Sequence, residues 1–267
     1  MNPKASSSIG LAHGKVAVES RRTKLEKKPW KNLPPIKGVI EKTFLRPMFA
    51  GEHLFPFCVG KPLLAVIPCD DNGLLSDEQI ELHKGLHEWW RHGTDIWEKH
   101  RSTERLSLTQ QIDFQSKLAK QLPIAPFRVI YNKSGMHICA AKLRNKKALL
   151  TTGLYWAPLI SEQEADYLCA ILNAPITTEL ARPLMSYGKD ERDIHKHVWE
   201  LPIQQFDPHD AVHQRIAALG ATLEKLASTF KIDEKLHFAA TRRHIRDFTM
   251  DTPAGQELNG LVADMLE

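Results

Sequence analysis

The chain has 267 residues, 42% of them hydrophobic and 25% charged, which suits a globular protein with one large domain or two small ones around a substantial core. No apolar run approaches the roughly 20 residues needed to cross a bilayer, and the start, MNPKASSSIGLAHGKVAVESRRTK, has no apolar stretch fit for a secretory signal. No membrane partner and a cytoplasmic location are therefore expected. The net charge of +4 is unevenly placed. Residues 1–31 hold eight Lys/Arg against two Asp/Glu, or +6, which leaves −2 for the remainder. Total charge therefore makes no case for nucleic-acid binding, and a local patch is needed.

Residues 1–35 read as a disordered basic tail, rich in Ser, Lys and Arg and poor in aromatics. From Ile36 the pattern is globular. PLLAVIP (62–68) reads as a short buried strand. Ser76 and Gln79 form a capping box that opens a helix through Trp89, Trp90 and Trp97, and these tryptophans read as core. A second helix is expected over Leu108–Leu122, ended by Pro123. FRVIY and MHICAA read as strands around the turn NKSG, with a further strand near ALLTT, giving a small antiparallel sheet. Between residues 128 and 147 stand Arg128, Lys133, Lys142, Arg144, Lys146 and Lys147, with no acidic residue among them. Such a run is either a solvated face or a set of phosphate contacts.

Ser161 and Glu164 form another capping box before EQEADYLCAILN, a helix whose apolar face is Ala165, Leu168, Ile171 and Leu172. Asn173-Ala174-Pro175 ends it, because the residue before proline avoids helical geometry. MSYGKDERDIHK reads as a loop and VWELPIQQF (198–206) as a strand. From about Asp207 a helix carries Val212, Ile216, Leu219, Leu223, Leu226 and Phe230 at alternating spacings of four and three. This seam is under three heptads long, so it packs on a partner helix within the chain or on another subunit. Amphipathic segments around Leu236 and Leu258 offer the intrachain option.

Catalytic signatures are missing. There is no glycine-rich phosphate loop and no G-x-S-x-G elbow. Asn32-Leu-Pro-Pro35 fails as the Asn-Pro-Pro-aromatic loop of amino-methyltransferases, since Leu33 holds the first proline position and Ile36 the aromatic one. MFAGEH (48–53) fails as a cofactor turn because His53 replaces a glycine. The four cysteines make no C-x-x-C pair, and the His83/His87 and His209/His213 pairs lack a metalloprotease glutamate, so no metal site is expected.

RVIYNKSG (128–135), AAK (140–142), LYW (154–156), EADYLCAILNAP (164–175) and ERDIHKHVWELPIQQFDPHDAVHQRIAAL (191–219) together resemble the C-terminal target-recognition region of large adenine-specific DNA methyltransferases of restriction-modification and phage-defence systems. More loosely, the order is similar to the target-recognition domains of type I specificity subunits. The matching pieces are Tyr167-Leu168, Leu172-Asn173-Ala174-Pro175, Gly188, Leu201-Pro202-Ile203 and the helix after Pro208. Two departures stand out: Ala174 replaces the usual serine, and the Leu-Pro-Ile-Gln strand lacks the second proline.

The resemblance implies an α+β domain over residues 36–206, with a small mixed or antiparallel sheet and flanking helices, followed by a helical segment over 207–267. It implies double-stranded DNA as a partner. It also places S-adenosylmethionine on a separate or upstream methyltransferase domain or subunit, with no cofactor in this chain. The expected DNA contacts are Tyr131, Asn132, Lys133 and Ser134, then Lys142, Arg144, Lys146 and Lys147, then Ser186, Gly188, Arg192, His195 and Lys196. The seam residues Val212, Ile216, Leu219, Leu223 and Leu226 would meet the partner. Two alternatives stay open: a methyltransferase subunit or fragment whose active site escapes recognition, and an interaction protein that docks through the C-terminal helix.

Overall fold

The computed structural model describes residues 2–5, 14–21, 26, 28–187, 192–233 and 235–267, with the side-chain surroundings of residues 2–5, 187 and 192 also left aside. The elements run β1 (Asn2–Ala5), β2 (Lys15–Arg21), β3 (Lys37–Glu41), β4 (Leu45–Phe49), β5 (Leu54–Phe55), β6 (Cys58–Val59) and β7 (Leu63–Val66). Helices α1 (Asp77–Glu81), α2 (Lys84–His100) and α3 (Leu108–Ile112) follow, then β8 (Phe127–Asn132), β9 (Ala140–Lys142), β10 (Leu149–Leu150) and β11 (Leu154–Leu159). The chain continues through α4 (Glu162–Asn173), α5 (Pro175–Ala181), β12 (Ser186–Tyr187), β13 (Arg192–Asp193), α6 (Ala211–Ser228), α7 (Phe238–Met250) and α8 (Pro253–Leu266). This is an α+β protein with a helical C-terminus. It forms two compact units: Met1–Met48, Pro62–Ile124 and Lys147–Leu150 make the first, and Phe49–Lys61, Ala125–Lys146 and Thr151–Glu267 the second.

In the first unit β1, β2 and β3 form one sheet and β10, β4 and β7 another. Residues 15–21, read from sequence as part of a disordered tail, are a strand with Val16 and Val18 buried. The alternation Val16-Ala17-Val18 between polar residues was masked by the surrounding lysines and serines. Helix α2 packs on β3, with Leu86, Trp89 and Trp90 in the core beside Ile36, Ile40 and Phe44. Its N-terminus has no side-chain cap of its own. Instead the Glu41 carboxylate accepts from Gly85 N (3.1 Å) and Leu86 N (2.9 Å), pairing an anion with orphan helix donors. Burial tends to raise the Glu41 carboxyl, but the backbone donors outweigh it and hold the group below its ordinary value. Gly85 permits the approach: a Cβ there would lie 2.4 Å from Val39 O.

The capping box at Ser76 forms, but it opens only the short α1. The helix expected over 108–122 breaks after Ile112 into two 3-10 turns. Asp113 Oδ1 accepts from Leu118 N (2.9 Å) and Ala119 N (2.8 Å), so a side chain competes with the helical ladder. The strand at ALLTT is β10, which joins β4 rather than the sheet of β8 and β9.

In the second unit β8 is the central strand of an antiparallel sheet, with β11 on one side and β9 on the other. The third strand is thus LYWAPL, not ALLTT. Helix α4 covers this sheet and is itself covered by α6, with α8 beyond. From Ala165 to Ala174 every residue of α4 and its C-cap is buried. Pro175 at the first position of α5 restarts the helix, where its missing N–H is no loss. VWELPIQQF is not a strand: residues His197–Glu200 make a 3-10 turn, and the rest is extended without a ladder partner among the described residues. Tyr167 explains the extended stretch. Its hydroxyl donates to Gln204 O (3.1 Å), and its ring packs on Phe206 and His213.

The seam on α6 is internal. Ile216, Leu219 and Leu223 are buried against α4 and α8, Leu226 is half-buried, and only Val212, at 43% exposure, faces outward. These residues are therefore core rather than a docking face, and the helices after residue 207 belong to the second unit. α6 crosses α4 at Gly220, where a Cβ would lie 2.5 Å from Asp166 O and 3.0 Å from Ala170 Cβ.

Two outcomes follow. Gly220→Ala should lower stability by about 1–3 kcal/mol through overpacking, although alanine is the better helix former by about 1 kcal/mol; a urea midpoint that stays level or rises would show the crossing to be slack. Leu219→Asp with Leu223→Asp should unfold the second unit, since burying carboxylates among apolar groups consumes most of a domain's marginal stability. A double variant that melts and elutes like the parent chain would reinstate the seam as a docking face.

Candidate nucleic-acid interface

The expected basic patch does not survive as a patch. Lys142 ends β9 with its side chain only 4% exposed, and its ammonium contacts Asp166 of α4 and Glu224 of α6, the latter at 2.8 Å. Arg144 bonds Glu162 (2.6 Å) and Glu224 (2.6 Å). Arg128 is buried in β8, its guanidinium pushed down to about 10 by burial, and it donates to Asn145 O (3.1 Å). The counter-charges come from 18 (Arg144 to Glu162) to 82 (Lys142 to Glu224) residues further along the chain, so the local run lacks acids while the folded cluster does not. Lys142 and Arg144 thus tie the end of β9 to α4 and α6, and Lys142 is too buried to reach a phosphate, whereas the Arg144 side chain stays 49% exposed. Lys146 and Lys147 are exposed.

This knot has its own electrostatics. Burial lowers Lys142's proton affinity, but the hydrogen bonds its ammonium donates to Asp166 and Glu224 reverse that and raise it. Burial raises Glu224, yet Arg144 and Lys142 together hold it below the ordinary glutamate range. Burial raises Asp166, and the neighbouring charges of Glu224 and Glu162 push the same way, leaving it high despite Lys142.

The β8–β9 turn is built by Asn132. Its Nδ2 donates to Ser134 O (2.9 Å) and His137 O (3.0 Å), and its Oδ1 accepts from Cys139 N (2.8 Å). Asn132 is buried, so its amide shapes the turn and is unavailable to a base edge. Gly135 sits at φ +144, and a Cβ there would come within 2.9 Å of Asn132 Nδ2. The turn thereby presents Lys133, Ser134, Met136 and His137 outward, Met136 exposed at 49% and the others half-buried.

This turn is pinned to the segment after α5. Lys133 O accepts from Ile194 N and His195 N, both at 3.0 Å, and Ser134 bridges Asp193. β12 and β13 pair there as a two-stranded ribbon. His195 adopts φ +44, sparsely used by a non-glycine residue, and four contacts hold it. Its N donates to Lys133 O, its O accepts from Tyr131 Oη (3.1 Å), its Nδ1 meets Tyr155 Oη (3.0 Å) and its Nε2 lies 3.3 Å from Asp193. Tyr131 stacks on Tyr155 at 5.4 Å and meets Trp199 edge-on at 5.8 Å, with Trp199 Nε1 donating to Tyr131 Oη (3.1 Å). Burial pushes the Tyr131 phenol well above its usual range. Tyr131 is therefore a buried post, whereas Trp199 is 44% exposed.

Of the expected contact residues, Lys133, Ser134, His195 and Lys196 come together on this edge, and Ser186 is exposed on the ribbon. Gly188 lies outside the described residues, as does the side chain of Arg192. The sequence reading missed Tyr155, Trp199 and His137. Tyr155 could have been found by pairing LYW with RVIY, because Tyr155 sits opposite Tyr131 in the register. Among the described residues no group of three or more His, Cys, Asp or Glu is arranged to hold a metal, and no helix is long and apolar enough to cross a membrane. Burial raises the Cys139 thiol to about 12 and Cys58 to about 11.

No family model matches the sequence, and no curated protein matches it. Among solved structures the chain has a loose likeness to the type IIG restriction endonuclease BpuSI, at 12% identity and a TM-score of 0.42, over 94% of this chain and 30% of that one. The chain thus spans under a third of the length of that enzyme.

The ion knot gives a further prediction. Lys142→Met should cost about 3–5 kcal/mol, because it strands buried carboxylates, whereas Lys146→Met should change stability by under about 0.5 kcal/mol. Equal small losses in urea unfolding would return Lys142 to the solvated surface. Because Glu224 is held low, its contribution is present above the ordinary glutamate value of about 4.3 and is lost as pH falls through the lowered folded value. Glu224→Gln should flatten that acid-side decline; Asp166, held high, acts in the opposite sense as pH rises.

Proposed function

We propose that this chain is a DNA target-recognition module of an adenine-specific methyltransferase system. Its second unit binds duplex DNA, and methyl transfer from S-adenosylmethionine is done by a catalytic core on another domain or subunit. The observation that carries the reading is the pinned loop pair. The turn of residues 133–137 and the segment 193–199 are locked to each other through Lys133 O and to the sheet through Asn132, Tyr131 and Tyr155. Two loops fixed in this way offer cations at Lys133 and Lys196 and an exposed indole at Trp199 on one edge. Duplex recognition needs these things: charged groups that fix register on phosphates, and rigidly held side chains that reach base edges. The resemblance of residues 128–219 to target-recognition regions supports the same reading, since the motif residues build the frame that holds these loops.

The experiment is duplex binding measured by fluorescence anisotropy over a range of salt. Affinity should fall log-linearly with salt, and Lys133→Glu with Lys196→Glu should weaken binding and lower the slope by about 0.9 per phosphate contact removed. A chain that fails to bind any duplex at low salt, or a double variant with an unchanged slope, would defeat this reading.

A further inference from the structure

The basic stretch of residues 1–31 ends in an aromatic contact within the first unit. Trp30 opens a 3-10 turn (Trp30–Asn32) and stacks on Trp97 of α2, with ring centroids 5.5 Å apart and planes 19° from parallel. His100 meets the same indole edge-on at 6.1 Å. Trp97, His100 and Arg101 stand at i, i+3 and i+4, so the last turn of α2 and its C-cap present them on one face. Leu106 O joins two of them: it accepts from Trp97 Nε1 at 3.0 Å and from Arg101 Nη1 at 3.1 Å, which holds the guanidinium beside the indole. Lys28 and Lys31 bracket Trp30 in the chain and are exposed. Trp89 and Trp90 fill the core of this unit, whereas Trp30, Trp97 and His100 are half-buried and stand at its surface.

We propose that Trp30, Trp97 and His100 form a stacking platform for the unpaired bases of single-stranded DNA, with Lys28, Lys31 and Arg101 beside it for the phosphates. The chemistry is complementary on both counts. Every base has a π-face, so an aromatic group takes a base without reading its edges, and cations alongside track the backbone. An apolar partner would leave the cations unanswered, and a duplex keeps its base faces stacked on one another. A single strand offers free base faces and phosphates together. That the strand is DNA rests on the DNA-binding reading; the platform itself lies in the first unit and shares no residue with the Lys133 and Lys196 edge. The basic N-terminal stretch thereby gains a fixed point of contact, which its composition alone does not reveal because Trp30 and Trp97 lie far apart in the sequence.

The test follows the tryptophan emission of the full chain as short oligo(dT), oligo(rU), an abasic strand of equal length or a blunt mixed-sequence duplex is added. Oligo(dT) should quench the emission and bind at least about tenfold more tightly than the abasic strand, which offers phosphates without bases. Trp30→Ala should weaken oligo(dT) binding by about tenfold or more, and Trp30→Phe should keep most of the affinity. Lys28→Glu with Lys31→Glu should lower the salt slope by about 0.7 per phosphate contact removed. Equal affinity for the abasic strand, an unchanged Trp30→Ala variant, or no quenching by oligo(dT) overturns the platform, and duplex binding in that case leaves the DNA reading standing. Tighter binding of oligo(rU) overturns the assignment to DNA. If oligo(dT) quenches and no duplex binds, the platform stands and the duplex reading falls. The comparison with the abasic strand is made on the unaltered chain, so it decides the matter even if Trp30→Ala fails to fold.

Discussion

Helix α4 has no solvent face after its first turn, and most of the second unit is arranged around that fact. A helix buried on all sides must find an internal partner for each polar side chain it carries, because an unpaired one costs about 1–3 kcal/mol. Asp166 takes Lys142 from β9. Tyr167 reaches the Gln204 carbonyl. Asn173 does the most: its Oδ1 accepts from Ala140 N at 3.0 Å while its Nδ2 donates to Ala140 O at 2.8 Å, so one side-chain amide pairs with β9 as a neighbouring strand would. Sheet, helix and the extended 201–206 segment are fixed to one another by these three residues.

The sequence features that make this chain look like a target-recognition region therefore describe a scaffold. Tyr167, Asn173 and the Pro175 restart are framework requirements, and Asn132 belongs with them. On the turn and on the segment after α5 the frame holds the backbone in place and leaves Met136, Lys196 and Trp199 exposed.

The helices were legible because their signals are local. Ser161, Pro175 and the apolar spacing on α6 each act within a turn or two and sit where expected, although Glu164 accepts from Ile160 N instead of closing a capping box on Ser161. What was illegible depends on distant partners. The acid-free run of 128–147 looked like a surface patch until α4 and α6 brought Asp166, Glu162 and Glu224 to it. The α6 seam was readable as needing a partner helix, but whether that partner lay within the chain or on another subunit was settled only by α4 and α8 covering it. β10 carries ordinary strand composition, and only long-range pairing decides which sheet it joins. Asp113 broke a well-patterned helix with one carboxylate.

The two compact units are not successive in the chain. The polypeptide leaves the first after Met48, returns at Pro62, leaves again after Ile124, and revisits it only for Lys147–Leu150. A unit assembled from separated stretches has no single cleavage point that releases it whole. Each must be completed by segments synthesised on either side of the other, so early-made strands wait for late-made ones before their cores close. Joining genes at one site would carry this second unit across without Phe49–Lys61, the piece that gives α7 the Gly51 and Leu54 carbonyls it grips.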